Sequence, residues 1–151
     1  MSHEIKSYSK VAVLYGGSSS EREISLITGK AVFDSLQLKG INAILIDTIE
    51  PFIEVLKIER VTHAWIALHG SDGEDGKIQS ILRMLNIKHT GSDPITCSIT
   101  MNKYFTKSIL QLNGFKTPEY MVVGSSTKYE DIVNKLSEPF VLKQCSEGSS
   151  I

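Results

Sequence analysis

The chain has 151 residues, 41% of them hydrophobic and 22% charged, with 16 basic against 17 acidic residues and a formal net charge of −1. This is globular composition, enough for one domain or one domain plus part of another, and the absence of a basic block argues against nucleic acid as a partner. Cys97 and Cys145 form no CxxC pair and are too few for a disulfide framework, which favours a reducing cytoplasm. Met1 to Lys10 is polar, without a signal-type apolar core, and no apolar run approaches the roughly 18–20 residues that span a bilayer, so a soluble cytoplasmic protein is expected.

In chain order, Val11 to Tyr15 is a near-continuous apolar run that predicts a strand buried on both faces of a parallel sheet. A helix is predicted from Glu21 to Leu38, where Ile24, Ile27 and Ala31 set an apolar stripe that Val32 and Leu36 widen, with Gly40 placed as a C-cap glycine. Ala43 to Ile46 reads as a second strand ending at Asp47, and Pro51 to Lys57 as a short helix with proline in its first turn. Ala64 to Leu68 reads as a third strand. Lys77 to Leu85 carries Ile78, Ile81, Leu82 and Leu85 at helical spacing. This alternation predicts a right-handed, mostly parallel α/β sheet of Rossmann-like type.

The pattern shifts near Gly91. A helix is predicted over Thr100 to Leu112, a strand over Tyr120 to Val123, a helix over Tyr129 to Leu136 and a strand over Phe140 to Lys143. The division expected is a first domain over residues 1–97 and the start of a second over 98–151. No internal repeat or low-complexity linker is present.

Three segments carry chemistry. Gly16-Gly17-Ser18-Ser19-Ser20-Glu21 follows the first strand, on the carboxyl edge where open parallel sheets bind ligands. Its glycines permit close backbone approach, and the following helix offers N–H groups. The alternative is structural: Ser20 with Glu23, or Ser18 with Glu21, has capping-box spacing. The spacing does not meet the dinucleotide fingerprint. His69 to Gly76 follows the third strand with one histidine, three acids and three glycines in eight residues, a loop suited to shaping a site. His69 is then on the same edge as Glu21 and is read as functional, against the alternative of a merely hydrogen-bonded histidine. No second histidine or cysteine stands at ligand spacing, which argues against a metal site here. Lys143, before a Gly/Ser loop, suits a phosphate; the alternative is an edge-strand lysine that discourages aggregation.

Taken together, LYGGSSSEREISL (Leu14–Leu26), ALHGSDGEDGKIQSIL (Ala67–Leu82), HTGSD (His89–Asp93), MNKYFTK (Met101–Lys107) and FVLKQCSEGSSI (Phe140–Ile151) resemble the D-alanine–D-alanine ligases of the ATP-grasp superfamily. The resemblance covers the whole chain, and the HGxxGEDGxxQ signature at His69–Gln79 is specific to that family. It implies a pre-ATP-grasp N-terminal domain followed by the start of an ATP-grasp central domain. The activity implied is phosphorylation of one D-alanine by ATP and attack on the acylphosphate by a second, giving D-alanyl-D-alanine for peptidoglycan, cell-wall biogenesis and cell shape.

By position the resemblance gives Glu21 the ammonium of the first D-alanine, Ile24 its methyl group and His69 its carboxylate. Lys103 and Lys143 would grip the nucleotide phosphates, and Ser149 would join Glu21 in a hydrogen-bond network. Glu74 is expected mainly to organise its loop. Gln144 departs from the proline common in relatives. The resemblance also implies ATP with Mg²⁺ or Mn²⁺, the metal ligands lying outside this chain, and a homodimer without nucleic-acid or membrane partners. The family's later half carries much of the catalytic machinery, so the 151 residues alone are expected to lack ligase activity. D-lactate remains open as the second substrate, and a non-catalytic ligand-binding or dimerisation module derived from such a ligase is the alternative reading.

Overall fold

In the computed structural model, residues 10–146 are described. The chain divides into two compact units, Met1–Ser98 and Ile99–Ile151. The first is α/β. Its strands β1 (Val11–Tyr15), β2 (Ala43–Asp47), β3 (His63–Ile66) and β4 (Lys88–His89) form one parallel sheet in the order β2-β1-β3-β4. β1 pairs on both sides and is covered on both faces, and Ala12, Val13 and Leu14 have no exposed surface. That explains an unbroken apolar run where an edge strand would alternate.

The two sheet faces follow from the pleat, since alternate side chains point to opposite sides. Ala12 and Leu14 lie in register with Ile44 and Ile46 on one side and with Ala64 and Ile66 on the other. This face packs against Leu56 of α2 (Phe52–Ile58) and Ile78 and Leu82 of α3 (Lys77–Met84), which with Val61, Leu68 and Ile87 make the core. Helix α1 (Arg22–Leu38) covers the opposite face, over Tyr15.

The face that α1 buries is not the expected stripe. Ile24 and Ile27 are 55% and 69% exposed and Ala31 is exposed, whereas Ser25 and Gly29 are buried. A Cβ at Gly29 would lie 2.9 Å from Tyr15 Cγ and closer still to its Cβ, so the helix sits against β1 through small residues. Ser25 is tolerated inside because its hydroxyl is fully used: it donates to Ala67 O at 2.7 Å and accepts from Gly16 N at 2.9 Å. Close approach with hydrogen bonding, rather than apolar bulk, orients the helix.

In the neighbourhood of the second unit, the expected single helix over Thr100–Leu112 is two: α4 (Pro94–Met101) and α5 (Lys103–Leu112). Asn102 breaks them apart and caps α5, its side-chain oxygen accepting from Tyr104 N at 3.0 Å and Phe105 N at 3.1 Å. Helix α6 spans Tyr129–Leu136 as expected. The strands expected at Tyr120–Val123 and Phe140–Lys143 are absent among the described residues. A strand exists through ladder bonds to a neighbour, and no described segment pairs with these. None of the described residues 99–146 is buried, and Val122, Val141 and Leu142 are more than half exposed. Lys107 nonetheless holds the segment after α5 by donating to Thr117 Oγ1 and Pro118 O, each at 2.9 Å.

Candidate functional site

The connection leaving β1 leads to β2 on one side of it, while that leaving β3 leads to β4 on the other. Adjacent parallel strands whose outgoing connections diverge leave a crevice at their carboxyl ends, the usual ligand position in such sheets. Two glycine-bearing loops emerge at this crevice: 16–21 after β1 and the loop that includes His69–Gly76 after β3.

The loops are bonded to each other. Ser19 Oγ donates to His69 O at 2.7 Å, and Ser18 Oγ donates to Asp72 Oδ2 at 2.7 Å. The Glu21 amide donates to Ser19 Oγ at 3.2 Å. Glu21 itself stands at the N-cap of α1, which has no side-chain cap, so neither capping-box pairing is made. Its carboxylate lies against the other loop: a Cβ added at Gly70 would be 2.6 Å from Glu21 Oε2. His69 is the neighbouring residue, and its Nε2 is 3.1 Å from Thr28 Oγ1 on α1. The structure therefore brings Glu21 and His69 to one edge and one crevice, with the Ile24 side chain exposed one turn into the helix.

The glycines of the first loop also have a structural role. Gly16 and Gly17 have φ of +70° and +73°, the left-handed region that favours glycine. Their amides are already occupied, Gly16 N by Ser25 Oγ and Gly17 N by Asp47 Oδ1 at 3.2 Å. Around them lies a clamp. Arg22 donates to Asp47 Oδ1 at 3.0 Å and Oδ2 at 2.6 Å, and to Gly17 O at 2.9 Å. A Cβ at Gly16 would stand 2.7 Å from Arg22 Nη1, so the clamp closes only over glycine. Hydrogen bonding by Arg22 holds Asp47 at a pKa of about 2, against the opposing effect of burial, with help from the Ile49 and Gly17 amides.

The second loop is braced by Asp72 and Asp75 rather than by the Glu74 side chain. Lys77 Nζ reaches Asp72 Oδ1 at 3.1 Å and Asp75 Oδ2 at 2.9 Å. Burial opposes the charge of Asp75, yet hydrogen bonds from Lys77 and from the Asp72 amide hold its pKa below the ordinary value. Glu74 is exposed and enters the loop's hydrogen bonding through its amide, donating to Gly70 O at 3.0 Å. Gln79, buried on α3, donates to Gly73 O at 2.7 Å and fixes the loop from beneath.

The two lysines lie in the second unit. Lys103 opens α5, and its amide donates to Cys145 O at 2.8 Å, two residues beyond Lys143, while Asn102 Nδ2 donates to Ser146 Oγ at 3.2 Å. The segments bearing Lys103 and Lys143 are thus joined within that unit, and the Lys143 side chain is exposed. Ser149 lies outside the described residues. Among the described residues no group of three or more His, Cys, Asp or Glu is placed to hold a metal ion, and no helix is long and apolar enough to cross a membrane.

A parallel α/β domain with two interlocked loops at its switch point is of the doubly wound type, in which ligands generally bind at that point. Comparison with known proteins narrows this. No family profile matches the chain. It is 42% identical over 146 residues to a D-alanine–D-alanine ligase of Bordetella pertussis, covering 97% of this chain and 46% of that protein. It is 46% identical over 144 residues to the same enzyme of Dichelobacter nodosus, covering 94% and 46%. Two crystal structures of D-alanine–D-alanine ligase from Bacillus anthracis match the fold. One, complexed with ATP, has a TM-score of 0.80 at 32% identity over 91% of this chain and 48% of that one. The other has a TM-score of 0.82 at 33% identity, over 94% and 47%. The chain is a homologue of the N-terminal part of the D-alanine–D-alanine ligases and spans about half the length of the curated relatives it matches.

Proposed function

We propose that this chain supplies the first-substrate side of an ATP-dependent D-alanine–D-alanine ligase, with D-alanine bound in the crevice between the 16–21 loop and the His69–Gly76 loop. The observation that carries the reading is the juxtaposition of an acid and an imidazole on two loops bonded to one another. An amino acid presents an ammonium and a carboxylate a few bonds apart. Glu21 suits the ammonium, His69 the carboxylate, and the exposed Ile24 the methyl group between them. The amides of Gly16 and Gly17 are occupied and so are not donors to an anion in the first loop.

In this reading ATP phosphorylates the bound carboxylate and a second D-alanine attacks the acylphosphate, for peptidoglycan synthesis in the cytoplasm. Lys103 and Lys143 are assigned to the nucleotide phosphates as point charges, the lysine's usual contribution to phosphate binding. Ser149 is assigned to the network around Glu21. Mg²⁺ would neutralise the phosphates and is assigned ligands outside these 151 residues. Residues 1–97 form the substrate-binding domain and 98–151 the beginning of the nucleotide-binding one, in a homodimer. Because the aligned region covers 46% of the Bordetella pertussis relative, the full reaction belongs to a protein of that length, and the 151 residues alone are expected to bind without turnover.

The test is ATP- and D-alanine-dependent formation of the dipeptide with phosphate release by a protein carrying this chain at its relatives' length. Glu21→Gln is expected to raise the KM of the first D-alanine at least tenfold, since a charged hydrogen bond contributes ~1.5–3 kcal/mol. Turnover with unchanged KM in that variant would overturn the assignment of Glu21, and dipeptide formation from L-alanine at equal rate would overturn the choice of substrate.

A further inference from the structure

We propose that Thr28 is the positioning residue for His69: it holds the imidazole as the Nε2–H tautomer and leaves Nδ1 as the nitrogen available to a ligand. The proposal deepens the reading of His69 as a ligand-facing group and rests on it.

Two distances carry the argument. Thr28 Oγ1 donates to Ile24 O at 2.9 Å, one turn back along α1, and the same oxygen is 3.1 Å from His69 Nε2. A threonine hydroxyl has one proton and two lone pairs. With the proton on Ile24 O, the oxygen can only accept from the ring, which requires hydrogen on Nε2. The reverse arrangement, hydroxyl donating to a bare Nε2, makes one bond instead of two and leaves two acceptor oxygens facing each other at 2.9 Å. Thr28 also starts from a favourable position, since threonine in a helix readily bonds back to the preceding turn.

The rest of His69 is equally constrained. Its carbonyl accepts from Ser19 Oγ, and Gly70, which follows it, has φ +70° with the Glu21 carboxylate packed over the position of a Cβ. The ring is therefore held from α1 while its backbone is held from the 16–21 loop. Nδ1 makes no hydrogen bond among the described residues. The bond made by one ring nitrogen of a histidine decides the state of the other. Here the result is an Nδ1 that accepts from a ligand N–H when the ring is neutral and donates to a ligand oxygen when it is protonated. The charged groups nearest in the fold are Glu21 at the head of α1, Asp72, Glu74 and Asp75 in the same loop and Lys77 at the start of α3; Asp72, Asp75 and Lys77 are engaged with one another.

The bland alternative is that Thr28 only fills space beside the ring. Imidazole NMR of the ¹⁵N-labelled chain, without ligand, separates the two. A ring proton on Nε2, protected from solvent exchange, is expected in the wild type and in Thr28→Ser, which keeps the hydroxyl. In Thr28→Val, which keeps the shape, the protected proton is expected to vanish and the two nitrogens to report averaged tautomers. A protected proton on Nδ1, no protected ring proton in the wild type, or its persistence in Thr28→Val would each overturn the proposal. Should the valine variant not fold, the wild-type spectrum decides, because an imidazole open to solvent shows no such proton. The measurement uses no ligand, so its failure leaves the D-alanine assignment intact, and failure of D-alanine to bind leaves the tautomer result standing.

Discussion

Replacing Asp47 by asparagine removes one charge from the clamp around Gly16 and Gly17 while keeping an oxygen for the Gly17 and Ile49 amides. The folded protein holds this carboxyl at about 2, against an ordinary 3.8, mainly through the Arg22 hydrogen bonds. A gap of that size corresponds to ~2.5 kcal/mol at about 1.36 kcal/mol per pKa unit. The Asp47 and Arg22 side chains are 18% and 33% exposed, so screening by water reduces the expected loss in Asp47→Asn to about 1–2 kcal/mol. Because the folded-state pKa is depressed, the contribution is present above the unfolded value near 4 and disappears as the pH falls through about 2. Urea denaturation of both proteins at pH 7, 4 and 2 reads this directly. The difference between them should be full at pH 7 and shrink steadily below pH 4. Equal stability at pH 7 refutes the clamp. A difference that persists undiminished at pH 2 refutes its electrostatic origin and points to packing.

Three further outcomes are expected. Gly29→Ala gains ~1 kcal/mol of helix propensity but forces a methyl onto Tyr15, an overpacking penalty of ~1–3 kcal/mol that should outweigh the gain, seen as a lower urea midpoint. Ser25→Ala strips partners from both Gly16 N and Ala67 O in a buried position, and a loss of about 2 kcal/mol or more is expected; an unchanged midpoint contradicts the bridge. Thiol labelling of the native chain should modify the exposed Cys145 and spare Cys97, whose burial pushes its thiol pKa up, until denaturant is added.

Much of the first unit was readable from local pattern. β1 and β2 end where their apolar runs end, and α3 follows its spacing within a residue, because each is specified by side chains that need burial. The face of α1 was not, because the helix docks through Ser25 and Gly29, residues whose contribution is smallness and hydrogen bonding rather than hydrophobicity. The expected strands at Tyr120–Val123 and Phe140–Lys143 have strand composition without a described neighbour to pair with, and composition alone supplies no ladder.

The site divides in the same way. Glycines at two strand ends marked the loops, and the carboxyl-edge rule put Glu21 and His69 on one side. The roles of Ser19, Thr28 and the Arg22–Asp47 pair are not legible in the sequence, because their partners lie 25 to 50 residues away and no short motif encodes a contact at that separation. Asn102 is masked as a cap because the apolar spacing continues through it, although its type and position before Lys103 are the available signal.

Titration of the ¹⁵N-labelled chain with D-alanine, followed by its backbone amides, bears most directly on the shared crevice. Shifts saturating together in the 16–21 loop and at His69–Gly76, and abolished by Glu21→Gln, are the expected result. Shifts confined to one loop, or centred away from the carboxyl ends of β1 and β3, would contradict it.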